Sequence, residues 1–576
     1  MSDTITPSNT NAAAANAPKV GLQIFAGRRG RKLRENMLAY ALLFPAFLII
    51  FTFGIFPLAF SAYQSTLTGL NKIVGTYTGL GNYVKAVANL TYVIGFWLAI
   101  GFGYTAVRSL LKTRQTAQEH NERPWLWLIP ATLLSVGMLL FTRFFFLFLP
   151  QLLGVADKMR TAQRAGEGPQ SLLFRQFTGE AFRLPHVQQA FWLAVVVLIA
   201  AAILSYVFSR VLPDSRHQGQ YYGSFVQASL LSLSGAILAW YTWTEVQRAY
   251  AEALEAGKTL DIWAQVTIIS AGFVLLLLSW WLWGSASQRD SNLSMALRLG
   301  AAVLLMIGGY LLITELPLAI GAGDKKWWSG LRTTVYYSLG TIPLQLAISL
   351  MLATILFQDI RGKSFFRILY FLPYITPVVG AAAIFRILFS GRVDAPINRI
   401  VTGLGFNALG WLNEPKGIFQ MMTSSAITLP DWAVGPSLSL VVVIIFSIWT
   451  FVGFNTVIFL AGLGSIPGTL YESASIDGAG RWAQFRHITL PLLSPTIYLL
   501  TLYGVIGTFK AFTHIFVLRT GAALGTTDTA SVVIFDAFNR DTRIGYASAL
   551  AMLLLLIVMG LTIANNRIAS KRVFYG

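Results

Sequence analysis

Residues 471–480 read Tyr471-Glu472-Ser473-Ala474-Ser475-Ile476-Asp477-Gly478-Ala479-Gly480, and nine residues after Gly478 the chain continues Ile488-Thr489-Leu490-Pro491. This polar stretch separates two long apolar runs, roughly 436–463 and 492–516. It reads as a short amphipathic helix, a glycine break and a second short helix. Gly478 and Gly480 permit positive φ at the break. Pro491 suits the first turn of the helix that follows. Apolar positions mixed with a few charges fit a helix laid in a groove of a partner protein.

Outside that stretch, composition sets the class. The 576 residues are 55% hydrophobic and only 12% charged, and Cys is absent. A soluble protein of ordinary make-up is about 25% charged. The chain therefore reads as a polytopic membrane protein. Disulfide scaffolds, Cys-ligated metals and thiolate catalysis are excluded. The net charge, 43 − 24 = +19, lies mostly between apolar runs. The positive-inside rule and anionic lipid account for it. With no contiguous basic face and no binding motif, nucleic acid is not an expected partner; membrane lipid is.

A span needs about 20 mostly apolar residues. The first run is about 37–63, and the others are roughly 91–110, 124–152, 189–212, 223–245, 262–285, 296–319, 330–357, 365–389, 436–463, 492–516 and 545–566. Continuous apolar runs in lipid must be helices that satisfy their own backbone. The expected fold is thus all-α, a polytopic bundle of about 12 transmembrane helices. Residues 1–36 form a basic tail, ending in Arg28, Arg29, Arg31, Lys32 and Arg34, and the other end carries Arg567, Lys571 and Arg572. Both termini are therefore expected in the cytoplasm. The first run is too long for a signal-peptide core and lacks a small-residue cleavage site. The segment 153–188 is basic and is read as lying along the interface as an amphipathic helix.

The pattern Glu472-x-Ala474-x-x-Asp477-Gly478-Ala479, followed by Ile488-x-Leu490-Pro491, resembles the cytoplasmic loop of ABC importer membrane subunits. Ser473 departs from the family's usual Ala. The similarity extends to residues 37–87, with Pro45, Pro57 and Tyr77-Thr78-Gly79-Leu80-Gly81-Asn82-Tyr83. It resumes over 327–576, with Thr341-Ile342-Pro343-Leu344-Gln345-Leu346, Phe366-Arg367, Phe371-Leu372-Pro373-Tyr374, Trp449, Ile466-Pro467 and Gly545-Tyr546-Ala547-Ser548-Ala549. The best match is the carbohydrate-importing group, specifically the larger subunit of maltose-type transporters.

The resemblance implies a type I importer core of six helices in the bacterial cytoplasmic membrane. Its organisation would be a tail at 1–36, a first core span and outer segment at 37–90, an inserted region with six spans at 91–326, and the rest of the core at 327–576. The loop at 467–491 would be the coupling helix that docks on an ATP-binding subunit, through Glu472, Ala474, Asp477, Gly478, Ala479, Ile488, Leu490 and Pro491. Implied partners are a second permease subunit, two ABC ATPase subunits and a periplasmic or lipid-anchored solute-binding protein. ATP and Mg would be held by the partner ATPases, not by this chain. The expected solute is a maltose- or trehalose-like oligosaccharide. The implied path lies along 436–463 and 492–516, which offer Trp449, Phe451, Gly453, Phe454, Asn455, Thr508, Phe509, Lys510 and Thr513. Aromatic faces stack on a sugar's apolar face, while amides and hydroxyls bond its OH groups.

Lys510 departs from the maltose-type pattern, which is uncharged there. Either it bonds a sugar hydroxyl or attracts an anionic solute such as glycerol 3-phosphate, or it snorkels to the outer face. Among the inserted runs, Arg143, Glu245 and Glu315 are charged candidates, because intramembrane charge is costly. No Gly-x4-Gly-Lys-Ser/Thr occurs: Gly362-Lys363-Ser364 lacks the earlier glycine, so no P-loop is expected. The five His are dispersed without metal spacing. An ion-coupled secondary transporter would need acids within the core spans, and those runs contain none. The chain is not expected to be an enzyme.

Overall fold

A computed structural model describes residues 28–69, 75–166, 168–211, 217–257, 260–286, 292–359, 361–423, 429–430 and 433–572. Most of the tail expected at 1–36, residues 1–27, lies outside the described residues. The chain divides into two units, residues 1–60 and 61–576. The first holds α1 (Arg28–Ile50), a π-helical turn at Phe51–Ile55 and the start of α2 (Phe56–Gln64).

In the second unit a two-stranded ribbon, β1 (Leu67–Thr68) and β2 (Thr76–Tyr77), pairs antiparallel. It leads to α3 (Gly81–Val87). Six long apolar helices then fill 90–322: α4 (Leu90–Glu119), α5 (Leu128–Arg164), α7 (Pro185–Val211), α8 (Gln218–Glu255), α9 (Ile262–Ala286) and α10 (Asn292–Ala322). The short α6 (Gln170–Arg183) lies between α5 and α7. The expected span edge at 152 is overrun, because α5 continues unbroken to Arg164 and Pro150 does not end it. The interfacial helix expected within 153–188 is thereby reduced to α6.

The remaining elements are α11 (Lys325–Phe357), α12 (Lys363–Ile375), α13 (Val378–Leu388), α14 (Pro396–Gly403), α15 (Ile418–Met422) and α16 (Leu438–Gly464). After them come α17 (Gly468–Ile476), α18 (Arg481–Gln484), a π-helical turn at Phe485–Thr489, α19 (Leu490–Leu492), α20 (Ser494–Phe509), α21 (Thr513–Leu518), α22 (Ala530–Asn539) and α23 (Ile544–Arg572). Among the described residues ten helices are long and apolar enough to cross a membrane, and two bent pairs bring the number to twelve. The all-α polytopic expectation of about 12 spans holds.

Two spans are nevertheless not the straight rods the apolar runs suggest. The run 365–389 breaks into α12 and α13, bent by 92°. Thr376 precedes Pro377 and is pushed out of helical geometry, to ψ 135. The second pair, 481–492 and 494–509, is bent by 62°. Pro491 has no N–H to offer the carbonyl four residues back, and the ladder before it slips into the π turn. The expected span 492–516 also ends early. Helix α20 stops at Phe509, and Lys510 is its C-cap.

Helix α16 is the most buried span, packed against α11, α12 and α20. A Cβ at Gly453 would lie 1.8 Å from the Tyr370 carbonyl oxygen on α12. Only glycine allows that approach, and it brings α12 across the middle of α16. The Tyr337 hydroxyl bonds Ser447 Oγ at 2.6 Å and His514 Nε2 at 2.9 Å, tying α11, α16 and α21 together inside the core.

Replacing Gly453 with Ala should force α12 off α16. Overpacking of this kind costs about 1–3 kcal/mol. The expected outcome is a lower melting temperature of the detergent-solubilised protein than wild type, with Gly464→Ala, where the added Cβ meets nothing within 4 Å, as the neutral comparison. Equal melting temperatures for Gly453→Ala and wild type would contradict this packing.

Candidate functional site

Three features stand out around α11, α16 and α20: a loop, a cavity and a pair of polar clefts.

The loop joins α16 to α20. Helix α17 ends in a Schellman turn: Ala479 N–H donates to the Ala474 carbonyl at 2.8 Å and Gly478 N–H to the Ser475 carbonyl at 3.1 Å. Gly478 takes φ +80, as the glycine break requires. The Gln484 amide then donates to Ser475 Oγ at 2.9 Å and to the Ala479 carbonyl at 3.0 Å, bracing the two short helices against each other. The Tyr471 hydroxyl pairs with Thr489 Oγ1 at 2.9 Å and closes the loop's base. Glu472, Asp477, Gly478 and Pro491 are exposed, while Ala474, Ala479, Ile488 and Leu490 are half-buried. The most exposed apolar residues flank the turn: Ile476 at 87% and Trp482 at 71%. The sequence reading did not single out either. Their signal was a large apolar residue on each side of the glycine pair in an otherwise polar loop.

A cavity of about 280 Å³ lies between α11, α16, α20 and α21. From the expected path it collects Phe451, Asn455, Thr508 and Thr513. It does not collect Trp449, Gly453, Phe454, Phe509 or Lys510. Trp449 packs on Phe385, with ring centres 5.2 Å apart. Gly453 makes the close approach to α12 already described. Phe454 stacks on Tyr374 at 4.7 Å, and Tyr374 meets Phe451 edge-on at 6.0 Å. Phe509 is buried in a hydrophobic cluster with Trp327 and Ala530. Lys510, expected two-thirds along a span, is exposed at the end of α20 because that helix stops there.

The cavity also recruits residues that sequence reasoning passed over: Tyr337, Thr341 and Gln345 from α11, Tyr503 from α20 and His514 from α21. The first three stand four residues apart, one polar stripe on an apolar helix, and that spacing was a readable signal. Among the described residues no Asp, Glu, Lys or Arg lines the cavity. The buried Thr341 hydroxyl has no partner among the described residues. The Gln345 and Asn455 side-chain amides bond no other described residue. The Thr508 hydroxyl is shared with Ser338 Oγ at 2.9 Å. The wall thus offers unfilled neutral donors and acceptors beside aromatic rings.

Two adjoining polar clefts lie at the start of α11. One, of about 360 Å³, holds matched charges: Arg519 reaches Asp536 at 2.8 Å and Asp528 at 3.5 Å, and Arg540 reaches Asp536 at 3.5 Å. Burial pushes the Asp528 carboxyl above its ordinary value, against the pull of Arg519. The other, of about 290 Å³, contains Arg332.

Of the charged candidates at 90–322, Arg143 sits on an exposed face of α5 and Glu315 is half-buried on α10. Glu245 is different. Its Oε2 accepts the Leu80 N–H at 3.1 Å, and a Cβ at Gly79 would collide with its carboxylate at 2.1 Å. Tyr77 and Tyr241 hydroxyls bond at 2.8 Å beside it. The His residues are less dispersed than their numbering suggests, since His120 and His217 rings approach to 4.1 Å. Among the described residues, no three metal-ligating side chains form a group that could hold a metal.

Residues 316–573 match the family model described as "Binding-protein-dependent transport system inner membrane component". A probable ABC transporter permease protein, YesP of Bacillus subtilis (strain 168), is 32% identical over 289 residues, covering 48% of this chain and 85% of that protein. The lactose transport system permease protein LacF of Rhizobium radiobacter is 28% identical, covering 43% and 78%. The trehalose/maltose transport system permease protein MalF of Thermococcus litoralis is also 28% identical, covering 43% and 76%. Among solved structures, a bacterial alginate ABC transporter in complex with an alginate pentasaccharide-bound periplasmic protein aligns with a TM-score of 0.38 and 21% identity, over 44% of this chain and 81% of that one. With its multi-pass helical fold and these relatives, the chain belongs to the binding-protein-dependent transport system inner membrane components, the membrane-embedded permease subunits of ABC transporters.

Proposed function

We propose that this permease forms the translocation path for an oligosaccharide, drawn from the same broad class as the maltose- or trehalose-like sugars. The observation that carries this reading is the uncharged cavity, with the Thr341 hydroxyl and the Gln345 and Asn455 amides left without partners among the described residues beside Phe451 and Tyr503. Unfilled neutral polar groups next to aromatic faces suit a polyhydroxylated solute. The sugar permeases among its relatives support the same class. Among the described residues no carboxylate lines this cavity to serve an ion-coupled mechanism. Lys510 stands outside the cavity lining, so it lends no weight to a phosphate ester such as glycerol 3-phosphate.

In this reading a solute-binding protein delivers the sugar to the outer face, and a second permease subunit completes the path. Two partner ATPases, which bind ATP and Mg, grip the loop at Glu472–Pro491. Ile476 and Trp482 are the apolar knobs that enter a groove on the ATPase, and Glu472 pairs with a basic or polar group there. Closure of the ATPases displaces the loop, and the bent helix carries that displacement into α20, which lines the cavity. ATP thus biases a two-state equilibrium between outward- and inward-facing forms. Both termini lie in the cytoplasm. Residues 91–326 act as an annex inserted between the first and second core spans.

The first test is uptake of labelled maltose, lactose and arabinobiose by cells with and without this gene. Each assay is repeated after ATP depletion, and after collapse of the proton gradient with ATP maintained. Gene-dependent uptake of at least one sugar, lost with ATP alone, is the expected outcome. Uptake that survives ATP loss and fails without the gradient would overturn the reading. Asn455→Leu should lower kcat/KM for the transported sugar by roughly tenfold or more, the cost of leaving solute hydroxyls unpaired. An unchanged value would remove Asn455 from the path.

Gly478→Val tests the loop. A β-branched residue in the left-handed region costs about 1–2 kcal/mol, and its Cβ meets nothing within 4 Å, so strain rather than collision is the penalty. Membrane levels should match wild type while ATP-driven uptake falls severalfold. Undiminished uptake would refute the coupling role.

A further inference from the structure

Helix α11 presents polar residues to two compartments in succession. Toward its middle, Tyr337, Thr341 and Gln345 face the neutral cavity. Nearer its start, Ser329, Arg332, Thr333 and Tyr336 line the separate cleft of about 290 Å³. At a rise of about 1.5 Å per residue, Thr333 and Thr341 are roughly 12 Å apart along the axis.

Arg332 is the only charged residue lining this second cleft among the described residues. It makes no ion pair with any described Asp or Glu. That contrasts with the adjoining cleft, where Arg519, Arg540 and Arg543 each meet a carboxylate. Five hydroxyl-bearing residues, Ser329, Thr333, Tyr336, Ser437 and Thr526, share the lining with glycine, proline and aliphatic side chains. Ser437 is the N-cap of α16; its oxygen accepts the Leu440 N–H at 3.1 Å, which leaves its O–H to donate. The start of the 27-residue α16 adds positive potential at the same wall. A guanidinium with no ion-pair partner among the described residues, beside five hydroxyls, is suited to a sugar that carries one anion, because the planar fork pairs with a carboxylate or phosphate and the hydroxyls bond the ring.

We propose that this cleft is an entry subsite for the anionic group of an acidic oligosaccharide, with Arg332 as its counter-ion and the neutral cavity along α11 taking the uncharged part of the same solute. The inference rests on the sugar reading above and extends it to glycans bearing a carboxylate or a phosphate. Arg332 then determines specificity at the mouth of the path, while Asn455 and Thr341 bind deeper.

The test uses the transporter complex purified from its native host and held in lipid nanodiscs. Equilibrium binding is measured with labelled digalacturonate, its dimethyl ester and galactose 6-phosphate, against maltose as the neutral reference. Wild type should bind at least one anionic sugar more tightly than the ester and maltose. Arg332→Gln should weaken that anionic binding roughly ten- to hundredfold and leave the neutral sugars unchanged. Arg332→Lys, which keeps the charge but loses the fork, should fall between. Preference for digalacturonate identifies a carboxylate as the group held, and preference for the phosphate ester identifies a phosphate. Equal binding of acid and ester by wild type, or an Arg332→Gln variant that keeps the preference, overturns the inference and leaves the sugar reading intact. Binding of none of the four sugars overturns both. Size-exclusion profiles of the variants, whose altered side chain is exposed, separate loss of binding from loss of fold.

Discussion

The close approach of α12 to α16 at Gly453 is the constraint on which the rest of the core depends. With no side chain there, the Tyr370 carbonyl can lie against the α16 backbone. That contact seats α12 across the most buried helix of the protein and turns α13 away at Pro377. The bend carries the second half of this span onto α21, and its first residue, Val378, lines the cavity between α11, α16 and α20. Phe454 and Phe451 then meet Tyr374 from α12, so the aromatic wall depends on the same glycine. A residue expected to touch solute is instead the one that lets two helices touch each other.

The fold was legible in the sequence because lipid leaves the backbone few choices. Long apolar runs had to be helices, and their number could be counted. What could not be read was where those helices break. Pro377 and Pro491 were visible, but a proline in a long run can kink, bend or be tolerated, and packing decides which. Pro150 shows the tolerated case, lying inside an unbroken α5. The loop at 467–491 was legible at the level of backbone geometry: Gly478 does take positive φ and does close a helix.

The cavity was half legible. Phe451, Asn455, Thr508 and Thr513 were chosen for their chemistry, and they do converge. Trp449 and Phe509 have equally suitable chemistry but face other helices, because the direction a side chain points depends on which neighbour a helix rolls against. Lys510 stayed open between two readings for a different reason, since its meaning depended on a helix end that hydropathy does not mark. Of the residues passed over, Thr341 and Gln345 lie in a motif that was noticed only as a resemblance, and Tyr337 stands one turn before it. Read for its period rather than its likeness, it would have disclosed one wall of the cavity.

The Glu245 carboxylate accepts the Leu80 N–H across 165 positions of sequence. The turn at residues 78–81 closes locally through the Gly81 N–H and the Thr78 carbonyl, but its Leu80 N–H takes a distant acceptor. It waits for α8, the fourth of the six long helices that follow it. At a synthesis rate of about 5–20 residues per second, that wait lasts roughly ten to thirty seconds. Until then the turn beneath α3 lacks its acceptor, and α3 itself is not joined to α11 until Asp324 N–H finds the Ala86 carbonyl. Assembly of this part of the fold thus follows chain order, with the turn at residues 78–81 completed only once α8 is in place.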